Sequence, residues 1–113
     1  MPVLQTRKEF LRVQGHGRKF RGKHLLLLIA NGPNRIGLTV SRKVGNAVIR
    51  NRVRRRLREI LRTHPDLLCS GYDHVVVALP SAAGAEYFTM TEELTCLLER
   101  ARDWVSHKRS SSD

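Results

Sequence analysis

Only two acidic residues, Glu9 and Glu59, precede residue 63. That shortage leaves the N-terminal half without a carboxylate pair for general acid–base work or for holding a divalent ion. Cysteine is equally sparse. Cys69 and Cys96 show no metal-ligand spacing, and they read as reduced core residues of a cytosolic protein rather than a disulfide framework. The five histidines, His16, His24, His64, His74 and His107, are scattered without metal spacing. No apolar run approaches the roughly 20 residues that span a bilayer, the longest being residues 25–30. The N-terminal stretch MPVLQTRKEF has no apolar signal core, so nothing in it directs export. No internal repeat is evident, and 113 residues suit one domain with one substantial core.

What the chain has in abundance is positive charge, a formal +11, and that charge is unevenly placed. Residues 1–41 hold eight Lys/Arg against Glu9 alone, and residues 42–62 hold nine against Glu59 alone. Residues 63–113 reverse the balance, with four basic residues against eight acidic ones. A domain polarised in this way attracts a polyanion, above all nucleic acid. An anionic membrane surface is disfavoured because the basic run lacks an aromatic insertion face.

Patterning along the chain alternates. Thr6 with Glu9 forms a capping box for a short helix to Val13, which Leu4 and Phe10 staple and Gly15 and Gly17 end. Residues 18–22 suit a short edge strand, and residues 24–30 a buried one. After the turn NGPN, residues 35–41 alternate Ile36, Leu38 and Val40 on one face. A long helix then begins at Asn46 as N-cap and stops before Pro65. Residues 73–80 form another buried strand, followed by the small-residue linker SAAGAE. Thr89 and Glu92 make a second capping box for a helix over about 90–106, with Leu94, Leu97, Leu98, Ala101 and Trp104 on one face. The domain spans residues 1–107, and residues 108–113 read as a flexible tail.

The long helix carries seven arginines within residues 43–62. At about 100° per residue, Ile49, Val53, Leu57, Ile60 and Leu61 share one side. Arg50, Arg54, Arg55, Arg58 and Arg62 with Asn51 cover the opposite side, and Arg52 and Arg56 lie on the far flank. Guanidinium binds phosphate bidentately and stacks on bases, so this surface points to contact with a polyphosphate. The preceding turn SRKVGNA opens backbone N–H groups at a helix N-terminus beside Arg42 and Lys43, which favours an anion. It lacks the Gly-Lys-Ser/Thr spacing of a nucleotide-binding loop. Ser41 and Lys43 form no recognisable nucleophile arrangement.

The stretch RIGLTVSRKVGNAVIRNRVRRRLRE, residues 35–59, closely resembles the signature region of the bacterial ribonuclease P protein component, with Arg50-Asn51-Arg52 as its Arg-Asn-Arg core. KEFLRVQGHGRKF resembles that family's first helix and first strand, and GYDHVVVALP its fourth strand, so the likeness reaches about residue 107. The resemblance implies an α+β two-layer sandwich of order αβββαβα with a mixed four-stranded sheet, like the second domain of ribosomal protein S5. It also implies a left-handed crossover through the arginine helix, where generic topology favours a right-handed one. The function implied is that of a protein subunit bound to a catalytic RNA that removes the 5′ leader of precursor tRNA in the cytoplasm. The RNA performs the hydrolysis with Mg²⁺, and the protein, to which no cofactor is assigned, raises substrate and metal affinity.

By position, Arg50, Asn51, Arg52, Arg54, Arg55 and Arg58 correspond to motif residues that contact the catalytic RNA, and Lys43 and Asn46 match the loop before them. Phe10 matches an aromatic of the leader-binding cleft. Gln14 and Leu28 stand where many relatives carry aromatic residues of that cleft, leaving Phe10, helped by Phe20, to stack an unpaired base. Two other classes share the basicity and small size. A ribosomal or other structural RNA-binding protein would play no part in tRNA processing. A DNA-binding module would place the arginine helix in a major groove, but that helix commits its apolar stripe to a core and no dimer element accompanies it.

Overall fold

A computed structural model describes residues 7–110. Helix α1 (Arg7–His16) leads into β1 (Arg18–Arg21), β2 (Leu25–Asn31) and β3 (Ile36–Val40). Helix α2 (Ala47–Thr63), β4 (Tyr72–Ala78) and α3 (Tyr87–Ser110) follow, with short 3₁₀ turns at Pro65–Leu67 and Pro80–Gly84. The sheet runs β1-β2-β4-β3. Its β1/β2 and β2/β4 pairs are antiparallel, and β3/β4 is parallel, with α2 as the crossover. The α+β fold with a mixed four-stranded sheet is therefore as expected.

The unbroken apolar run of β2 requires cover on both faces, because alternate side chains point opposite ways. Leu25, Leu27 and Ile29 enter the larger core, with Val76 and Ala78 of β4 and the buried sides of α2 and α3. Leu28 and Ala30 point the other way with Val75, beneath Val13 of α1. Helices α2 and α3 thus share one face of the sheet, and α1 lies on the other.

Helix α2 starts as its sequence dictates: the Asn46 side chain accepts from Ile49 N at 3.0 Å. It buries Val53, Leu57, Ile60 and Leu61. Burying four such side chains is worth on the order of 6–12 kcal/mol. The like-charged pairs Arg50/Arg54, Arg52/Arg56, Arg54/Arg58 and Arg58/Arg62 oppose this by only about 1–2 kcal/mol together. Packing wins, so the helix forms despite its charge.

Several boundaries differ from the sequence reading. Helix α1 continues past Val13 to His16 and closes with Gly17 N donating to the Val13 carbonyl at 2.7 Å. The Thr6 capping box and the Leu4 staple lie outside the described residues. Helix α3 begins at Tyr87, so Thr89 and Glu92 sit inside it rather than forming its cap. Its first turn is anchored by fully buried Met90 and by Met90 N donating to the Glu86 carbonyl at 3.0 Å. At the other end α3 runs to Ser110 instead of fraying near residue 106. Buried Val105, the Lys108 ammonium 5.0 Å from the Trp104 ring centre, and a bond from Arg109 Nη2 to the Ser70 carbonyl at 2.9 Å hold that last stretch. Cys69 is buried as expected, whereas Cys96 lies on the exposed side of α3. Val48 is 74% exposed and takes no part in the stripe.

Candidate nucleic-acid interface

The outward side of α2 exposes Asn51, Arg55, Arg58 and Arg62, with Arg50, Arg52 and Arg54 half-buried. Three of these side chains are pre-set. Arg54 Nη1 donates to Asn51 Oδ1 at 3.1 Å. Arg62 grips Glu59 through Nε and Nη2 at 3.1 and 2.6 Å, which lowers the Glu59 pKa and raises that of Arg62. The one acid of this surface is therefore already neutralised by the helix itself. Arg50 and Arg52 each bury an Nε that finds no hydrogen-bond acceptor among the described residues. Arg56, on the far flank, donates to the Ala85 carbonyl at 3.3 Å and tethers the segment that leads into α3.

The turn before α2 exposes Ser41, Arg42, Lys43 and Asn46. Val44 N donates to the Ser41 carbonyl at 3.1 Å, and buried Val44 pins the turn to the core. Gly45 has φ +157°, and a Cβ there would meet the Ile49 side chain at 3.0 Å, so the turn needs a residue without one.

This turn continues directly from β3, whose last three residues form one wall of a groove of about 520 Å³. Leu38, Thr39 and Val40 face Phe10, Leu11 and Gln14 of α1 across it. Phe10 is half-buried against the smaller core, and Leu11 is 51% exposed. Groove, turn and arginine surface therefore lie consecutively along the chain from Leu38 to Arg62.

Two of the expected cleft residues are elsewhere. Phe20 lies on the opposite face of the sheet: it pairs with Leu27, whose side chain enters the larger core, and it meets Trp104 edge-on at 6.3 Å between ring centres. Strand alternation separates it from Phe10. Leu28 is on the correct face but only 2% exposed, packed with Val13, Ala30 and Val75 under α1. Phe10 and Gln14 line the groove, and Leu11, Thr39 and Val40 join them. An exposed leucine on the polar side of a short helix was the one available signal for Leu11.

Sequence reasoning also missed a buried ion cluster at the far end of the sheet. Asp73 is fully buried. It accepts from Arg35 N at 2.8 Å, from Arg35 Nη2 at 3.0 Å and from Arg12 Nη2. Glu9 completes the set through Arg35 Nη1 at 3.1 Å. Among the described residues, no group of three His, Cys, Asp or Glu side chains could hold a metal ion, and no helix is long and apolar enough to cross a membrane.

Comparison with known proteins agrees with this fold. The family model described as Ribonuclease P matches residues 2–102. A ribonuclease P protein component of Brucella melitensis is 41% identical over 105 residues, covering 81% of this chain and 74% of its own. That of Syntrophus aciditrophicus is 31% identical over 100 residues, covering 86% and 84%. Among solved structures, the RNase P protein of Staphylococcus aureus superposes with a TM-score of 0.82 at 25% identity, covering 89% of this chain and 95% of its own. The Thermotoga maritima protein gives 0.80 at 28% identity, covering 88% and 97%.

Proposed function

The chain belongs to the Ribonuclease P family, and on that premise we propose that it binds the catalytic RNA through α2 and holds the 5′ leader of precursor tRNA in the α1–β3 groove. It is a subunit of an endoribonuclease, and in our reading it works in a cytoplasmic ribonucleoprotein whose RNA carries out phosphodiester hydrolysis with Mg²⁺. The contribution of the polypeptide is positional. Arg50, Asn51, Arg52, Arg54, Arg55, Arg58 and Arg62 contact RNA phosphates and bases, and Arg42, Lys43 and Asn46 extend that contact around the turn. Phe10 offers a ring for one unpaired leader base, and Gln14 a polar contact beside it. Neutralising phosphates that converge on the cleavage site would lower the repulsion between the catalytic RNA and its substrate there.

The observation that carries this reading is the continuity of groove, turn and arginine surface, from Leu38 through Asn46 to Arg62. A strand of RNA lying in the groove would run out onto the basic turn without crossing an acidic residue, since Glu59 is the one acid of that stretch and Arg62 already occupies it. Assigning the chemistry to RNA is supported by the same scarcity of carboxylates. The test mixes this protein with a bacterial ribonuclease P RNA at low Mg²⁺. Stimulated 5′ cleavage of precursor tRNA is expected. Absence of stimulation, together with co-purification with ribosomal RNA, would favour the structural RNA-binding alternative.

A further inference from the structure

Helix α1 supplies one wall of the groove, yet little apolar surface holds it in place. Of its described side chains, Val13 alone is fully buried, and Phe10 is half-buried. Contacts of that kind are not directional: a helix resting on one valine can slide by part of a turn or rotate and still keep them. The guanidinium–carboxylate contacts of the ion cluster are directional, because each fixes donor and acceptor orientation.

Their placement is specific. Arg12 precedes Val13 on α1, and its Nη1 donates to the Asn31 carbonyl at 2.9 Å, the last residue of β2, while Nη2 reaches Asp73 of β4. Arg35, just before β3, links the same carboxylate to Glu9, one turn earlier on α1. Two points on α1, three residues apart, are thereby tied to three strands at one end of the sheet. Gly32 lets the β2–β3 connection close over the carboxylate, since a Cβ there would lie 2.2 Å from Asp73 Oδ2. Glu9 and Arg12 are contiguous in sequence with Phe10 and Leu11, and Gln14 follows Arg12 by two residues, so any rotation permitted at the cluster moves the groove wall with it.

We propose that Asp73 is a positioning residue for leader recognition: its buried carboxylate, held by Arg12 and Arg35, sets the height and rotation of α1 and hence the shape of the groove between Phe10, Leu11 and Gln14 and the β3 wall. Asp73 is closed off from solvent and touches no RNA; it acts through α1. The proposal rests on the leader-binding reading above and adds to it a residue that lies outside the groove.

The experiment uses the holoenzyme reconstituted with ribonuclease P RNA and compares binding of precursor tRNA carrying a 5′ leader with binding of mature tRNA. Asp73→Asn keeps the size of the side chain but turns an amide donor toward two guanidinium groups. The expected result is a fall of about tenfold in the precursor-to-mature affinity ratio, the scale of removing a buried charge-assisted bond. Affinity for the RNA subunit should stay within about twofold, because α2 packs on the other face of the sheet. Amide hydrogen exchange over residues 8–14 should accelerate while that of β2 and β4 does not. If Asp73→Asn does not fold, Arg12→Gln, changed at a half-exposed side chain, is put through the same comparison.

A ratio equal to wild type in a folded variant overturns the proposal, as does an equal loss for both tRNAs and for the RNA subunit, which would mean a general structural role. A wild-type holoenzyme indifferent to the leader overturns the leader reading and the proposal together, and so is distinguished from failure of the proposal alone.

Discussion

Burial of His74 beneath the Cys69 turn lowers its pKa from 6.5 to about 4, loss of hydration outweighing the favourable Tyr72 carbonyl and Asp73 carboxylate. The ring is only 1% exposed and accepts a hydrogen bond from Cys69 N at 3.1 Å, a role that requires the neutral imidazole. Because the folded value lies below the unfolded one, the unfolded chain takes up the proton first as pH falls. Full stability is therefore present above about pH 6.5 and is lost progressively toward pH 4, by up to about 3 kcal/mol at 1.36 kcal/mol per unit. Urea midpoints measured between pH 7.5 and pH 4.5 should show this decline. His74→Gln should start lower and flatten the slope over that window. An unchanged slope in the variant would assign the pH dependence to other groups. The sequence places His74 in a buried strand but gives no sign of its acceptor role, since that depends on a turn five residues earlier folding back over it. The same holds for Asp73. A lone acid at the start of an apolar strand gives no hint that Arg12 and Arg35, 61 and 38 residues away, converge on it.

At the scale of elements, α2 was almost wholly legible because its two demands occupy different sides of one helix. The apolar stripe, the Asn46 cap and the Pro65 stop follow from local patterning. Helix α3 was less legible at its ends. Its first turn holds Tyr87 and Phe88, residues of modest helix propensity, and it is the buried Met90 that recruits them. Its last turn is polar and held by the contact of Lys108 with Trp104 one turn earlier and by the tertiary bond from Arg109 to the Ser70 carbonyl. The arginine face of α2 carries a cost that can be exposed by substitution. Arg58 lies four residues from both Arg54 and Arg62, so Arg58→Glu converts two repulsive pairs into attractive ones. Stability should rise by about 1 kcal/mol at low ionic strength, and the gain should shrink as salt is added. Affinity for ribonuclease P RNA should fall in the same variant, and its log–log salt dependence should become shallower by about 0.7–0.9 for each phosphate that is no longer neutralised. Thermal melts and salt-titrated binding measured on one preparation test both halves. A variant that is more stable and binds RNA with unchanged slope would remove Arg58 from the interface.

For the molecule as a whole, what matters is that two different chemistries suited to RNA meet at one corner of the sheet. The arginine surface of α2 is on the face shared with α3, and the groove is on the α1 face, yet both open onto the Ser41–Asn46 turn because β3 is an edge strand. The sequence announced the basic half and the Phe10 position. It could not place Phe20 and Leu28, because pairing register and helix docking decide which side of a strand is covered. With those two withdrawn, Phe10 is the single aromatic of the groove, and leader affinity should depend on its ring rather than on its bulk. Phe10→Ala should weaken binding of precursor tRNA by about five- to a hundredfold, the range of one base–aromatic stack of about 1–3 kcal/mol. Phe10→Leu retains apolar contact with the smaller core but removes the stacking face. It should therefore fold normally and lose nearly as much precursor affinity. Mature tRNA, having no leader, should bind both variants as it binds wild type, because the arginine surface is untouched. If Phe10→Leu binds precursor as wild type does, the ring is packing α1 onto the sheet and the leader is held by the backbone-contacting cations alone. In that case substitution of Arg42 and Lys43, at the mouth of the groove, would carry the discrimination that stacking does not.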